Sequence, residues 1–159
     1  MKILAIDRST DTQSVALAID GEVKGRVFAG MDSRSAEWPV KIRDFLSANG
    51  LSPRDLDQVL VGQGPGSFAG IRAALAFAQG IALGNPDGAT KVVGLPSTYA
   101  LTRDGARIEP LLQGVFGHHY KGSLVPLAQR LAEVAVAHPE ILRPEPLPLY
   151  LQPAVRPPA

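Results

Sequence analysis

The sequence predicts an α/β domain, and three observations carry that expectation. The first 28 or so residues hold three apolar runs of strand length, joined by a polar turn and by Asp20-Gly21. Residues 38–49 then repeat their apolar side chains at helical spacing. A short apolar run, Gln58 to Val61, passes through a turn of three glycines and a proline into a nearly uncharged helix. The chain of 159 residues suits one compact domain or two small lobes, long enough to bury a core without staples.

Lys2 to Ile6 is the first strand, and Asp7-Arg8-Ser9-Thr10-Asp11-Thr12-Gln13 is polar and turn-like. Ser14 to Ile19 is the second strand. Asp20-Gly21 is a hairpin signal, and Glu22 to Phe28 returns as the third strand. In the helix that follows, Trp38, Ile42, Phe45, Leu46 and Asn49 share one face, with Glu37, Lys41, Arg43, Asp44 and Ser47 elsewhere. Pro39 fits only its first turn, and Asn49-Gly50 supplies a C-cap. Ser52-Pro53 opens about one more helical turn, with proline in the first position.

After the strand and glycine turn comes a helix from Ser67 or Phe68 to Leu83. Asn85-Pro86-Asp87-Gly88 turns the chain, and Lys91 to Gly94 is a β-branched strand. Pro96-Ser97-Thr98 opens a short helix through Leu101. Ile108 to Phe116 and Tyr120 to Val125 read as strands. Pro126 to Ala137 reads as a helix with Leu127, Leu131, Val134 and Ala135 inward. From Pro139 onward lie seven of the fourteen prolines, so the tail must be extended or coil, with Tyr150-Leu151 a candidate edge segment.

Composition narrows the function classes. Net charge is +1 and the Lys and Arg residues are scattered, so no nucleic-acid footprint stands out. Cysteine is absent, which excludes a disulfide scaffold or a thiolate metal site and fits a cytoplasmic protein. The opening Met1–Asp7 is too short and too soon acidic for a signal peptide. Phe68 to Leu83 contains Arg72, Gln79 and Gly80 and falls short of the ~20 apolar residues of a membrane span, so no membrane partner is expected.

Two places could carry chemistry. The Asp7-Arg8-Ser9-Thr10 turn has the acid and hydroxyls to hold a phosphate-bound metal, or to form a hydrogen-bonded Asx turn. Gly62-Gln63-Gly64-Pro65-Gly66-Ser67 could cradle a phosphate at a helix N-terminus. It lacks the lysine of a Walker A loop, and Ala69 stands where a dinucleotide fingerprint has its third glycine. Arg72 is the nearest cation. A tight strand-to-helix connection is the competing reading. His118-His119 and His138 form no metal-ligand spacing, and Ser67 sits in no nucleophile elbow, so no catalytic residue and no metal site are expected.

The second helix itself is apolar nearly all round, with Ala69, Ala73, Ala76 and Gly80 interleaved with Ile71, Leu75 and Phe77. A helix packed on one sheet face should show a polar outer side. Either the C-terminal segment covers it or another protein does.

Two blocks together resemble the TsaB (YeaZ) family: Met1–Thr10 running on through Ser14-Val15-Ala16-Leu17, and Gly62-Gln63-Gly64-Pro65-Gly66-Ser67-Phe68-Ala69-Gly70-Ile71-Arg72. The resemblance runs from Met1 to about Thr98. It implies an actin-like ATPase, ribonuclease H-like mixed sheet with helices, the first lobe complete at 1–102. Residues 103–159 would then be a truncated second lobe with a proline-rich tail.

The resemblance also implies a non-catalytic partner of a TsaD-type subunit, which threonylcarbamoylates adenosine 37 of tRNA. A TsaE-type ATPase would join through the complex, tRNA would be met only indirectly, and the chain alone would form a homodimer. The implied partner surface is Trp38, Ile42, Phe45, Phe68, Ala69, Arg72, Ala73, Ala76, Phe77 and Gly80. No cofactor is implied beyond weak vestigial phosphate binding at Asp7, Ser9, Thr10, Gly64, Gly66 and Ser67. The family usually has Thr at the positions of Arg8 and Ala69, and Arg8 would take the space and charge of a phosphate-bound metal. An autonomous nucleotide-binding ATPase is the alternative, and an M22-type metallopeptidase a third.

Overall fold

A computed structural model of the chain describes residues 1–10, 13–28, 36–101 and 127–149. These residues build one six-stranded sheet in the order β3-β2-β1-β4-β5-β6. The strands are β1 (Lys2–Asp7), β2 (Gln13–Ile19), β3 (Glu22–Phe28), β4 (Gln58–Gly62), β5 (Lys91–Leu95) and β6 (Arg143–Pro144). The first three form an antiparallel meander, β1, β4 and β5 are parallel, and β6 returns antiparallel on the far edge. The sheet is therefore mixed, as expected.

Period-two alternation divides the strands between two cores. Leu4, Ile6, Val15, Leu17, Val59 and Val61 face the front, where helices α1 (Trp38–Ala48) and α2 (Phe68–Gly84) cover them. Ile3, Ala5, Ala16, Ala18, Leu60 and Val93 face the back, under helix α3 (Leu127–Ala137). Register aligns like with like: Leu4 sits opposite Leu17, and Ile6 opposite Val15. The back is floored by alanines, which let the alanines of α3 (Ala128, Ala132, Ala135) approach closely. Ser14 Oγ of β2 accepts the Ala128 N–H at 3.0 Å and so satisfies one open donor in the first turn of α3.

Helix α1 ends as the sequence predicts. Gly50 takes φ +73°, its N–H reaches Ser47 O at 3.0 Å, and Leu51 N–H reaches Leu46 O at 3.0 Å. That pair of bonds is the Schellman stop. The helix at 127–137, assigned from the sequence to a reduced second lobe, packs on the back of this same sheet. The tail likewise joins it, through β6. The strands read at 108–116 and 120–125, the histidines at 118 and 119, and the edge segment at 150–151 lie outside the described residues.

Candidate functional site

The turn after β1 is a tightly bonded element. Asp7 is fully buried, and its Oδ1 accepts the Ser9 N–H at 3.0 Å and the Ser9 hydroxyl at 2.6 Å. This is the Asx geometry that an acid two residues before a serine favours. Burial pushes the Asp7 carboxyl above its ordinary range, and hydrogen bonds from Ser9 and Ser97 oppose that rise. Arg8, 1% exposed, donates from Nε to Gln13 Oε1 at 2.8 Å, and its guanidinium lies 4.1 Å over the Trp38 ring. Trp38 and Gln13 take up its side chain. A guanidinium suits this place because it is less strongly hydrated than an ammonium and can stack on an indole.

The glycine turn is fitted against that first turn. A Cβ on Gly62 would run into the Asp7 carboxylate, one on Gly66 into the Ser9 carbonyl, and one on Gly70 into the Arg8 carbonyl. Glycines spaced four apart thus each face one residue of Asp7-Arg8-Ser9. Ser67 N–H donates to Ser9 O at 2.7 Å, and Ser67 Oγ accepts the Gly70 N–H at 3.1 Å as the N-cap of α2. Gln63 N–H goes to Leu95 O at 2.8 Å, and Gly64 N–H to Ser97 Oγ at 3.0 Å. Three amides of the turn, and that of Gly70 in the first turn of α2, are therefore bonded within the chain. The structure brings Asp7, Ser9, Thr10, Gly64, Gly66 and Ser67 into one region, but as a packed junction of two turns.

The C-terminal segment locks this junction from the side, which sequence reading missed. Gln63 Nε2 donates to Leu147 O at 2.7 Å, and Leu149 N–H donates to Gln63 O at 2.8 Å. Pro146 is buried, close beside Gly94 and Gln63. A glycine inside β5 was the available signal, since it marks a place where another backbone comes near.

The helix surfaces divide the expected partner residues. Trp38, Ile42 and Phe45 point into the front core at 6%, 0% and 7% exposure, so they hold α1 to the sheet and are corrected from surface to core. Trp38 also packs on Phe77, ring centroids 4.7 Å apart. On α2, Ile71, Ala74, Leu75, Ala78 and Ile81 face inward. Ala69, Arg72, Ala76 and Gly80 are exposed, Phe68, Ala73 and Phe77 are half-buried, and Leu83 is 88% exposed. The apolar outer face predicted for this helix is thus present, and none of the described residues covers it. Beside it, a groove of about 730 Å³ runs between α1 and α2.

Among the described residues, no group of three or more His, Cys, Asp or Glu side chains could hold a metal ion. No described helix is long and apolar enough to cross a membrane.

A mixed sheet in this order, with helices on both faces, is the ribonuclease H-like fold shared by the actin-like ATPases. A Pseudomonas aeruginosa structure described as an uncharacterized protein with similarity to peptidase YeaZ matches it at TM-score 0.70, 18% identity, covering 95% of this chain and 99% of that one. The structure of YeaZ from Pseudomonas aeruginosa matches at TM-score 0.56 and 28% identity, over 64% of this chain and 47% of that one. The family described as TsaD: tRNA N6-adenosine threonylcarbamoyltransferase matches residues 34–111. The tRNA threonylcarbamoyladenosine biosynthesis protein TsaB of Escherichia coli is 39% identical over 84 residues, 53% of this chain and 36% of that protein. Over its matched half the chain is similar to the TsaB (YeaZ) family. The match spans about a third of the length of that relative, 36%.

Proposed function

We propose that the chain acts in tRNA threonylcarbamoyladenosine synthesis as a non-catalytic subunit. In this reading it docks on a TsaD-type catalytic subunit through the outer face of α2. The observation that carries the reading is that face: Ala69, Ala73, Ala76, Phe77 and Gly80 form an apolar strip beside a groove. A helix with such a side turned to water is unusual unless a partner covers it. The names of the relatives supply the pathway. Docking that fits one conformation of the catalytic subunit better than its others shifts the population toward that conformation. The activation is thus a matter of differential binding, with no group of this chain entering the reaction. A TsaE-type ATPase joins through the complex, tRNA is reached indirectly, and the free chain pairs with itself.

Co-purification with the TsaD-type subunit of the same genome tests this. A stable heterodimer is expected, and Ala76→Glu should split it while leaving the thermal unfolding midpoint near that of the parent. Retention of the heterodimer by Ala76→Glu rejects the proposed face. Calorimetry of the isolated chain with Mg-ATP separates the nucleotide-binding alternative: the packed turn predicts no tight binding.

A further inference from the structure

Gly64 is touched by both the C-terminal segment and α2. A Cβ on this residue would meet the Ile71 side chain, near the start of α2, and also the Leu149 carbonyl. On Gln63, next to it, the carbonyl accepts the Leu149 N–H at 2.8 Å, and Nε2 donates to Leu147 O at 2.7 Å. Residues 145–149 thus clasp the two residues that lead into the α2 junction. The segment is stiff and thinly bonded. Pro144, Pro146 and Pro148 alternate with Glu145, Leu147 and Leu149, so every second residue lacks an N–H and the chain stays extended even when released. Glu145, directly after β6, takes φ +51°, a left-handed conformation uncommon for a residue with a side chain. The proline that follows it favours an extended conformation there instead. The segment is therefore held down against the backbone preference of its own first residue.

We propose that residues 145–149 are a latch, hinged at Glu145, whose closure on Gln63 and Gly64 fixes the entry of α2. Turning Glu145 to the extended region lifts the latch and leaves β6 paired with β5. That frees the Gln63 carbonyl and takes the Leu149 carbonyl from beside Gly64, so Ile71 packs on a turn with one wall fewer. Because the arm is already extended, closing it again orders little chain. A strained hinge stands against two hydrogen bonds to Gln63 and the burial of Pro146. These opposing terms are of similar size, which suits an element with two positions. Resting on the docking reading above, closure and docking favour each other. A partner that grips α2 in this direction tightens the latch, and by linkage the closed latch strengthens docking.

Native-state hydrogen exchange of the whole chain, read residue by residue by NMR, tests the latch with no partner present. Pro146→Gly empties the seat beside Gly94. It should quicken exchange about tenfold at Leu149, and with it at Gly70 and Ile71, whose amides bond to Ser67. Leu51, at the end of α1, should keep its parental rate. Glu145→Gly relieves the hinge, and the strain removed outweighs the freedom that glycine adds to the open arm. It should slow the same three amides about threefold. Parental rates at Gly70 and Ile71 in Glu145→Gly, or in a folded Pro146→Gly, make the segment a plain tether and overturn the latch. In the complex with the TsaD-type subunit of the same genome, Leu149 should gain protection although it is no part of α2. An unprotected Leu149 in a stable heterodimer overturns the link between latch and docking. Failure of the heterodimer to form rejects the docking reading instead, and the exchange rates of the free chain still decide the latch.

Discussion

Ser67 gives its backbone N–H to the carbonyl of Ser9 across 2.7 Å, tying the start of α2 to the turn that follows β1. Next to it, Gly66 holds φ +156° with no room for a side chain against the same carbonyl. The helix that carries the apolar outer face is aimed by this junction.

Gly66→Ala should therefore cost about 1–3 kcal/mol, the range for overpacking a tight site. Urea unfolding measures it. Gly80→Ala is the contrast: the site is open, φ is helical, and a gain of up to about 1 kcal/mol is expected from helix propensity alone.

Asp7 links stability to pH. Its carboxyl is raised by burial, so the folded state holds the proton more tightly than the unfolded chain does. Its favourable contribution is complete below the unfolded value and is lost as pH rises through the higher folded value. Asp7→Asn keeps an acceptor for the Ser9 N–H and removes the buried charge. It should raise the unfolding midpoint at neutral pH and flatten its acid dependence, measured by thermal scans from mildly acidic to neutral buffer.

Trp38 is the single tryptophan and lies between Arg8 and Phe77. Its emission should be blue-shifted in the folded chain. Phe77→Ala, which opens the groove beside the indole, should move emission to the red and cost about 3 kcal/mol or somewhat less, since Phe77 is only half-buried.

Gln63→Ala removes the bond to Leu147 O and part of the packing under Pro146. A loss of about 1–2 kcal/mol is expected for one buried hydrogen bond and its contacts. Hydrogen exchange at the Leu149 amide should quicken in the variant; an unchanged rate would mean the strap holds without Gln63.

Local pattern made much of this legible. Glu22–Phe28 begins and ends where the Asp20-Gly21 turn and its alternation place it, and α1 stops at Asn49-Gly50. The apolar outer side of α2 was visible because only Arg72 and Gln79 interrupt it. What local pattern cannot say is which object covers a face. Trp38, Ile42 and Phe45 show the same helical spacing whether they meet a sheet or a partner, and here they meet the sheet. The glycine turn misled for a related reason. Glycine permits close approach, but the sequence does not name the approaching group, which is Asp7-Arg8-Ser9. The bonds from Gln63 to Leu147 and Leu149, and from Ser14 to Ala128, join residues more than eighty positions apart, beyond the reach of any periodicity.

The alanine-floored back of the sheet has a consequence for synthesis. Ile3, Ala5, Ala16 and Ala18 are made well ahead of their cover, α3, at residues 127–137. During translation at ~5–20 residues per second, the meander waits several seconds with that side wet. The early chain is then a sheet with one apolar side open, the state in which association with chaperones or with other nascent chains competes with folding. Slowing the ribosome between the meander and α3 should lower the soluble yield, and supplying α3 sooner, by circular permutation, should raise it.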